Sequence, residues 1–223
     1  VNYARVDAER DDVTLAQVQE VLAPELERSG ARWEHVVCFW PERQTKLLSE
    51  LGMRGNRLSW DVVMAYGRAP RRPPQPPEPP ETAVEEVRSP DERFWTSMRK
   101  SLAEFDVTDP AALDQLDRLE REVALPDGKR WFAIRPAPGA SPLALGALIS
   151  HEGVGYLDHI VTFPEARRRG FGSVMVAHIV GVALADGLED VFLLADRGGK
   201  PAELYRRLGF VDAAHIASSV RKL

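Results

Sequence analysis

One cysteine, Cys38, is all that this 223-residue chain carries, so no internal disulfide can form. It lies in an apolar run from Val36 to Trp40, a setting that suits a buried structural thiol better than a nucleophile. No apolar run approaches the length needed to span a bilayer, and no secretory leader pattern opens the chain, so a cytoplasmic location and no membrane partner are expected. An excess of positive charge is missing too. The formal net charge is −5, aromatics are not interleaved with basic residues, and nucleic acid is not an expected partner. Both common nucleotide fingerprints are absent. The last glycine of the glycine-rich loop is followed by Ser173-Val174 rather than by the Lys-Ser/Thr of a P-loop, and only GxG is found where a dinucleotide fold needs GxGxxG. The first residue is Val1, which fits a processed chain or a piece of a longer one.

Against those absences stands an ordinary globular composition, 44% apolar and 28% charged, long enough for one large domain or two smaller ones. Proline is the exception. Seven of the thirteen residues from Arg68 to Pro80 are proline, which favours extended polyproline II and forbids helix or inner strand. The expected organisation is therefore an N-terminal unit over residues 1–68, a semi-rigid linker over 69–82, and a larger domain over 83–223.

The most informative stretch is Arg167-Arg168-Arg169-Gly170-Phe171-Gly172. It joins a strand-like run, Leu157 to Thr162, to a long apolar helix-like run, Ser173 to Ala185. A strand that turns through glycines into a helix leaves backbone N–H groups free at the positive end of the helix dipole, which is an anion site. Gly170 and Gly172 permit close approach of a bulky anion, and three arginines add charge. That chemistry suits a phosphate or pyrophosphate.

The run from Ile160 to Gly172, a strand, a proline and then R-x-x-G-x-G, resembles the acyl-CoA-binding motif of the GNAT acetyltransferase superfamily. Farther on, Leu204-Tyr205-Arg206-Arg207-Leu208-Gly209-Phe210 is similar to the same family's L-Y-x-x-L-G-F signature. The resemblance covers about residues 83 to 223. It implies an α/β (α+β) fold with a mixed, mostly antiparallel central sheet flanked by helices. It implies acetyl-CoA as cosubstrate, no metal, and direct transfer of the acetyl group to a primary amine of a small molecule or peptide. A non-catalytic acyl-CoA-binding or regulatory module is the alternative, and a homodimer stays open. For cofactor binding it points to the strand residues Ile160, Val161 and Thr162, which would pair with the pantetheine arm as an added strand. It points equally to the loop residues Arg167, Arg168, Arg169, Gly170, Phe171, Gly172 and Ser173 around the pyrophosphate. Tyr205 matches the family tyrosine that protonates the leaving thiolate. Asp158 stands on the strand where many members carry an acidic base. His159, next to it, points to the opposite face if the strand is regular, and a bulge would change that. One departure is that the segment Asp196 to Pro201 lacks an asparagine often found there.

Elements beyond the linker follow from periodicity and turn residues. A strand is expected near Ala83–Arg88, then helices over Asp91–Phe105 and Pro110–Val123, the second capped by Asp109. Strands are expected over Trp131–Arg135, Leu143–Ser150 and Tyr156–Thr162, followed by a helix ending near Gly187, a strand over Val191–Ala195, a helix over Pro201–Leu208 and a final strand from Phe210. The N-terminal residues echo this ending. Glu34-His35-Val36-Val37 followed by Lys46 to Met53 parallels Glu189-Asp190-Val191-Phe192 followed by Glu203 to Phe210. Thr14 to Gln17 reads as a capping box, and Pro24 argues for a kink or break in the helix it starts. The first copy has Leu48 in place of Tyr205 and Asp7, Glu9, Asp11 and Asp12 in place of a glycine loop, so it is expected to be a degenerate half-repeat without the chemistry.

Overall fold

The computed structural model describes residues 3–10, 12–67 and 83–223. The proline-rich linker expected over 69–82 lies outside the described residues. In chain order the elements are β1 (Ala4–Val6), α1 (Leu15–Ser29), β2 (Trp33–Cys38), α2 (Thr45–Met53), β3 (Arg57–Tyr66), β4 (Val84–Glu86), α3 (Glu92–Ser101), α4 (Pro110–Leu119), β5 (Arg130–Ile134), β6 (Ala144–His151), β7 (Val154–Thr162), α5 (Phe171–Ala185), β8 (Asp190–Asp196), α6 (Lys200–Arg207) and β9 (Phe210–Lys222). Among the described residues no helix is long and apolar enough to cross a membrane.

The chain forms two compact units. The first is built from Val1–Met64, Leu194–Ala202 and Asp212–Leu223, so its strands come from both ends of the sequence. Within it β1 runs parallel to β2, β2 runs antiparallel to β9, and β3 flanks β9 on the other side. The capping box forms as the sequence suggests, with the Gln17 N–H donating to Thr14 Oγ1 and the Thr14 N–H donating to Gln17 Oε1. Val18, Leu22 and Leu26, four residues apart, bury one face of α1 against Val36, Leu47 and Leu51. Contrary to expectation, Pro24 does not break α1, which runs unbroken from Leu15 to Ser29. Pro24 and Glu20 are both exposed, so the carbonyl that loses its N–H partner can turn to water.

The second unit is built from Ala65–Leu193 and Glu203–Val211. Its strands lie in the order β8-β7-β6-β5-β4, antiparallel except for the β7–β8 pair. One face packs Val161, Trp131, Ala133 and Leu145 against Phe94, Trp95 and Met98 of α3. The other carries α5, whose buried residues Phe171, Met175, Val176, Ile179, Val180 and Ala183 leave little polar face. Asp91 and Asp109 cap α3 and α4 through the N–H groups of Phe94 and Ala112. The long helix expected over Asp91–Phe105 ends in a 3₁₀ turn at Leu102–Phe105, and that expected over Pro110–Val123 ends in a π turn at Glu120–Ala124.

Candidate active site

The anion loop begins where β7 stops. Phe163 is buried, a 3₁₀ turn covers Pro164–Ala166, and the backbone then takes positive φ at Arg168 (61°) and again at Gly170 (84°) before α5 starts at Phe171. Glycine at 170 meets that demand without cost, whereas Arg168 is held in a conformation uncommon for a side-chain residue. Gly170 is the N-cap and supplies no side-chain acceptor, and the first turn of α5 has no acidic residue. The opening amides of α5 are therefore unclaimed by any capping side chain, at the positive end of a fifteen-residue helix. A Cβ added at Gly172 would make only ordinary contacts, 3.5 Å to Thr162 Oγ1 and 3.6 Å to Leu204 Cδ2, so the fold itself does not require glycine there.

The three arginines differ. Arg167 donates from Nε to the Thr162 carbonyl (3.0 Å) and pairs with Glu104, bracing the loop. Arg169 lies over the Phe171 ring at 4.9 Å. Arg168 is exposed and forms no ion pair among the described residues. Phe171 and Ser173 are buried and offer the loop their backbone only.

Just before the loop, β7 leaves its neighbour. The β7–β8 pairing runs from Val154 to Leu157, and from Asp158 to Thr162 the pairing described is with β6 alone. Ile160, Val161 and Thr162 thus lie on a stretch whose other edge has no partner within this unit.

β7 also bulges. Leu145 pairs with Val161 and Ala147 with Asp158, so Gly146 alone opposes both His159 and Ile160. His159 takes φ of 53° to make the extra step. A Cβ at Gly146 would sit 2.7 Å from Ile179 Cδ1, 2.9 Å from Met175 Cγ and 3.0 Å from Ile160 Cδ1, so only glycine fits beneath α5 at that point. The bulge brings Asp158 and His159 to the same face, where a regular strand would separate them. Lys129 joins the two surroundings: its Nζ is 2.8 Å from Asp158 Oδ2 and 4.7 Å from the centre of the Trp131 ring, and Trp131 in turn meets the His159 ring edge-on at 5.0 Å.

Lys129 is buried and held between two carboxylates, Asp158 and Glu120 (2.6 Å). Burial works against the Asp158 charge, but the Lys129 ammonium outweighs it and holds the carboxyl below its ordinary range. Burial drives His159 down to about 4, with the Asp158 charge opposing and Lys129 assisting. His159 also lies 4.9 Å from the Phe105 ring and places Nε2 2.6 Å from Ser101 Oγ. Lys129, Glu120 and Ser101 carried no signal in the sequence, since they stand 29, 38 and 57 residues from Asp158 and match no motif.

Tyr205 is buried on α6, with its ring 6.1 Å from that of Phe210. Burial pushes its hydroxyl up to about 12, so it keeps its proton at neutral pH. Gly209, at φ 96°, ends the helix and turns the chain into β9.

With this geometry in place, the comparisons with known proteins can be read. The family model described as acetyltransferase (GNAT) family matches residues 72–210. The chain belongs to the GNAT acetyltransferase family. Members of that family are generally acyltransferases, and acetyl-CoA is their usual cosubstrate. Among solved structures, the GNAT fold recurs in a GCN5-related N-acetyltransferase from Sphaerobacter thermophilus, with 20% identity and a TM-score of 0.65 over 93% of this chain and 66% of that one. A GCN5-related N-acetyltransferase from Kribbella flavida gives 20% identity and 0.62 over 97% of this chain and 80% of that one. A tandem GNAT protein from the clavulanic acid biosynthesis pathway gives 12% and 0.59 over 99% and 76%. At these identities the likeness shows the fold. No curated protein matches the chain in sequence.

Proposed function

We propose that this GNAT protein transfers an acetyl group from acetyl-CoA directly to a primary amine of a small molecule or peptide. The observation that carries the reading is the uncapped start of α5. Its amides, unclaimed by a capping side chain and preceded by positive φ at Arg168 and Gly170, would donate to a pyrophosphate, and Arg168, exposed and without an ion pair among the described residues, would add its charge. The bare backbone at Gly172, which the fold does not need, allows the ligand to come close. Ile160, Val161 and Thr162 would hydrogen-bond the pantetheine arm along the free stretch of β7.

Orientation of the thioester against the amine supplies much of the rate in such a transfer. In this chain Tyr205 would hold a proton ready for the departing sulfur. Asp158, committed to Lys129, would act as a fixed negative charge on the amine-facing side rather than as a free base.

The test has two parts. Calorimetric titration of the full chain with acetyl-CoA should show binding, and a thiol-release assay over an amine panel should find an acceptor. Absence of binding sinks the reading; binding without release by any amine leaves a non-catalytic acyl-CoA module in its place.

A further inference from the structure

The contacts of His159 go beyond anything needed to pack it. Ser101 is fully buried, and its Oγ lies 2.6 Å from the Met98 carbonyl and 2.6 Å from His159 Nε2. A carbonyl can only accept, so the single hydroxyl proton goes to Met98. The Ser101 oxygen must then accept from the imidazole, and Nε2 must carry the hydrogen. That leaves Nδ1 as the bare nitrogen, with no hydrogen-bond partner among the described residues. The ring is clamped between Phe105 and Trp131, so it cannot exchange the two nitrogens freely. Its backbone sits at φ 53° in the bulge that Gly146 makes room for, one residue before the free stretch of β7. Asp158, the alternative base, is already paired to Lys129.

We propose that His159 takes the proton from the acceptor nitrogen through Nδ1, and that Ser101 is the positioning residue that fixes its tautomer. This rests on the acetyl-transfer reading above. The balance is complete. A C–N bond forms at the thioester carbonyl and the C–S bond breaks; the nitrogen gives one proton to Nδ1, and the sulfur receives one from Tyr205. Exchange with solvent restores both side chains. Burial keeps the ring neutral at ordinary pH, so Nδ1 is bare in the resting protein, and a ring this weakly basic takes its proton only once the C–N bond has formed and the nitrogen has become acidic.

The experiment uses the full chain, the best amine found in the panel, and ¹⁵N-labelled histidine. In the wild type, one histidine should show a protonated Nε2 and a bare Nδ1, assigned by its disappearance in His159→Asn. Asparagine tolerates the positive φ, so this variant should fold; His159→Gly, which tolerates it freely, is the second variant. Both variants should melt lower because the ring's packing is lost, but turnover per folded molecule should fall by about 10²-fold in either, with acetyl-CoA affinity little changed. Ser101→Ala should move the histidine signal toward a tautomer mixture and lower kcat about tenfold without raising KM, a pattern that lost packing would not give. A protonated Nδ1 in the wild type, or full turnover in His159→Asn, would overturn the proposal. A wild type that binds acetyl-CoA but acetylates no amine strikes the acetyl-transfer reading, and the base role falls with it. A wild type that turns over while His159→Asn is unimpaired strikes the base role only.

Discussion

Each unit surrounds one carboxylate with cationic or polar partners, Glu34 buried and Asp158 half-buried, and the two are treated differently. In the first unit Glu34 is enclosed: Gln19 and Asn56 donate to it at 3.1 and 3.0 Å, Arg54 at 3.1 Å, and Arg221 lies 3.6 Å away. Its oxygens are saturated, and the strands and helix that supply those partners are tied together through it. In the second unit Asp158 has one ammonium, Lys129, which it shares with Glu120, and beside it His159 keeps one ring nitrogen without a hydrogen-bond partner among the described residues. A closed network holds a fold, whereas an open one leaves an atom for chemistry. The same contrast holds at the corresponding helix positions, where Leu48 is plain core and Tyr205 brings a hydroxyl with its proton retained.

Four experiments would break or sharpen that comparison. The largest effect is expected at the anion loop: Gly170→Glu puts a side chain and a negative charge where φ is 84°, and acetyl-CoA binding should vanish from a folded protein. In the wild type the same titration should saturate at one acetyl-CoA per chain, and a stoichiometry of two would give the first unit a site that this comparison denies it. Next, Glu34→Ala should cost about 3 kcal/mol in denaturant unfolding, because Asn56 and Gln19 lose a buried acceptor and two arginines lose their charge partner. Its pH dependence has a definite sign. Burial raises the Glu34 pKa, but hydrogen bonds from Asn56 and Gln19 and the charges of Arg54 and Arg221 bring it below 4.5 in the fold. Its contribution is therefore present above about pH 4.5 and is lost as pH falls through the lowered value, so wild-type stability should drop more steeply below that point than that of Glu34→Gln. An equal slope in the two proteins would show that Glu34 is not the group responsible.

Tyr205→Phe should follow, with turnover down about 10²-fold on a working acceptor and acetyl-CoA affinity nearly unchanged. Full turnover would mean that water or another group protonates the sulfur. The smallest effect is expected from Gly146→Ala, which forces a methyl against Ile179, Met175 and Ile160 and should destabilise by about 2 kcal/mol. If the bulge is what brings His159 to the face of Asp158, this variant should lose turnover beyond what its fraction unfolded explains.

Much of this was legible in the residues. Arg167 to Gly172 announced a strand turning into a helix through glycines, and Asp109-Pro110 announced the start of α4, because caps and turns act within a few residues. The face of His159 was not legible, since it depends on Gly146 in a neighbouring strand and on the side chains of α5 beneath it. The half-repeat was partly legible. Strand, helix and strand recur as β2-α2-β3 and β8-α6-β9, yet Gly52, matched to Gly209, lies inside α2, and the left-handed turn falls at Gly55 instead. Pro24 failed as a breaker because it lies on the wet side of α1 while Leu22 and Leu26 hold the helix in place.

The first unit draws most of β9 from its segment Asp212–Leu223. During synthesis β2 must therefore wait for residues far later in the chain before Cys38 finds Ala217 and Trp33 finds Lys222. Contacts of such sequence separation are slow to form, and the exposed edge of β2 is a hazard in the interval. Loss of residues 212–223 would therefore injure a part of the protein made well before them.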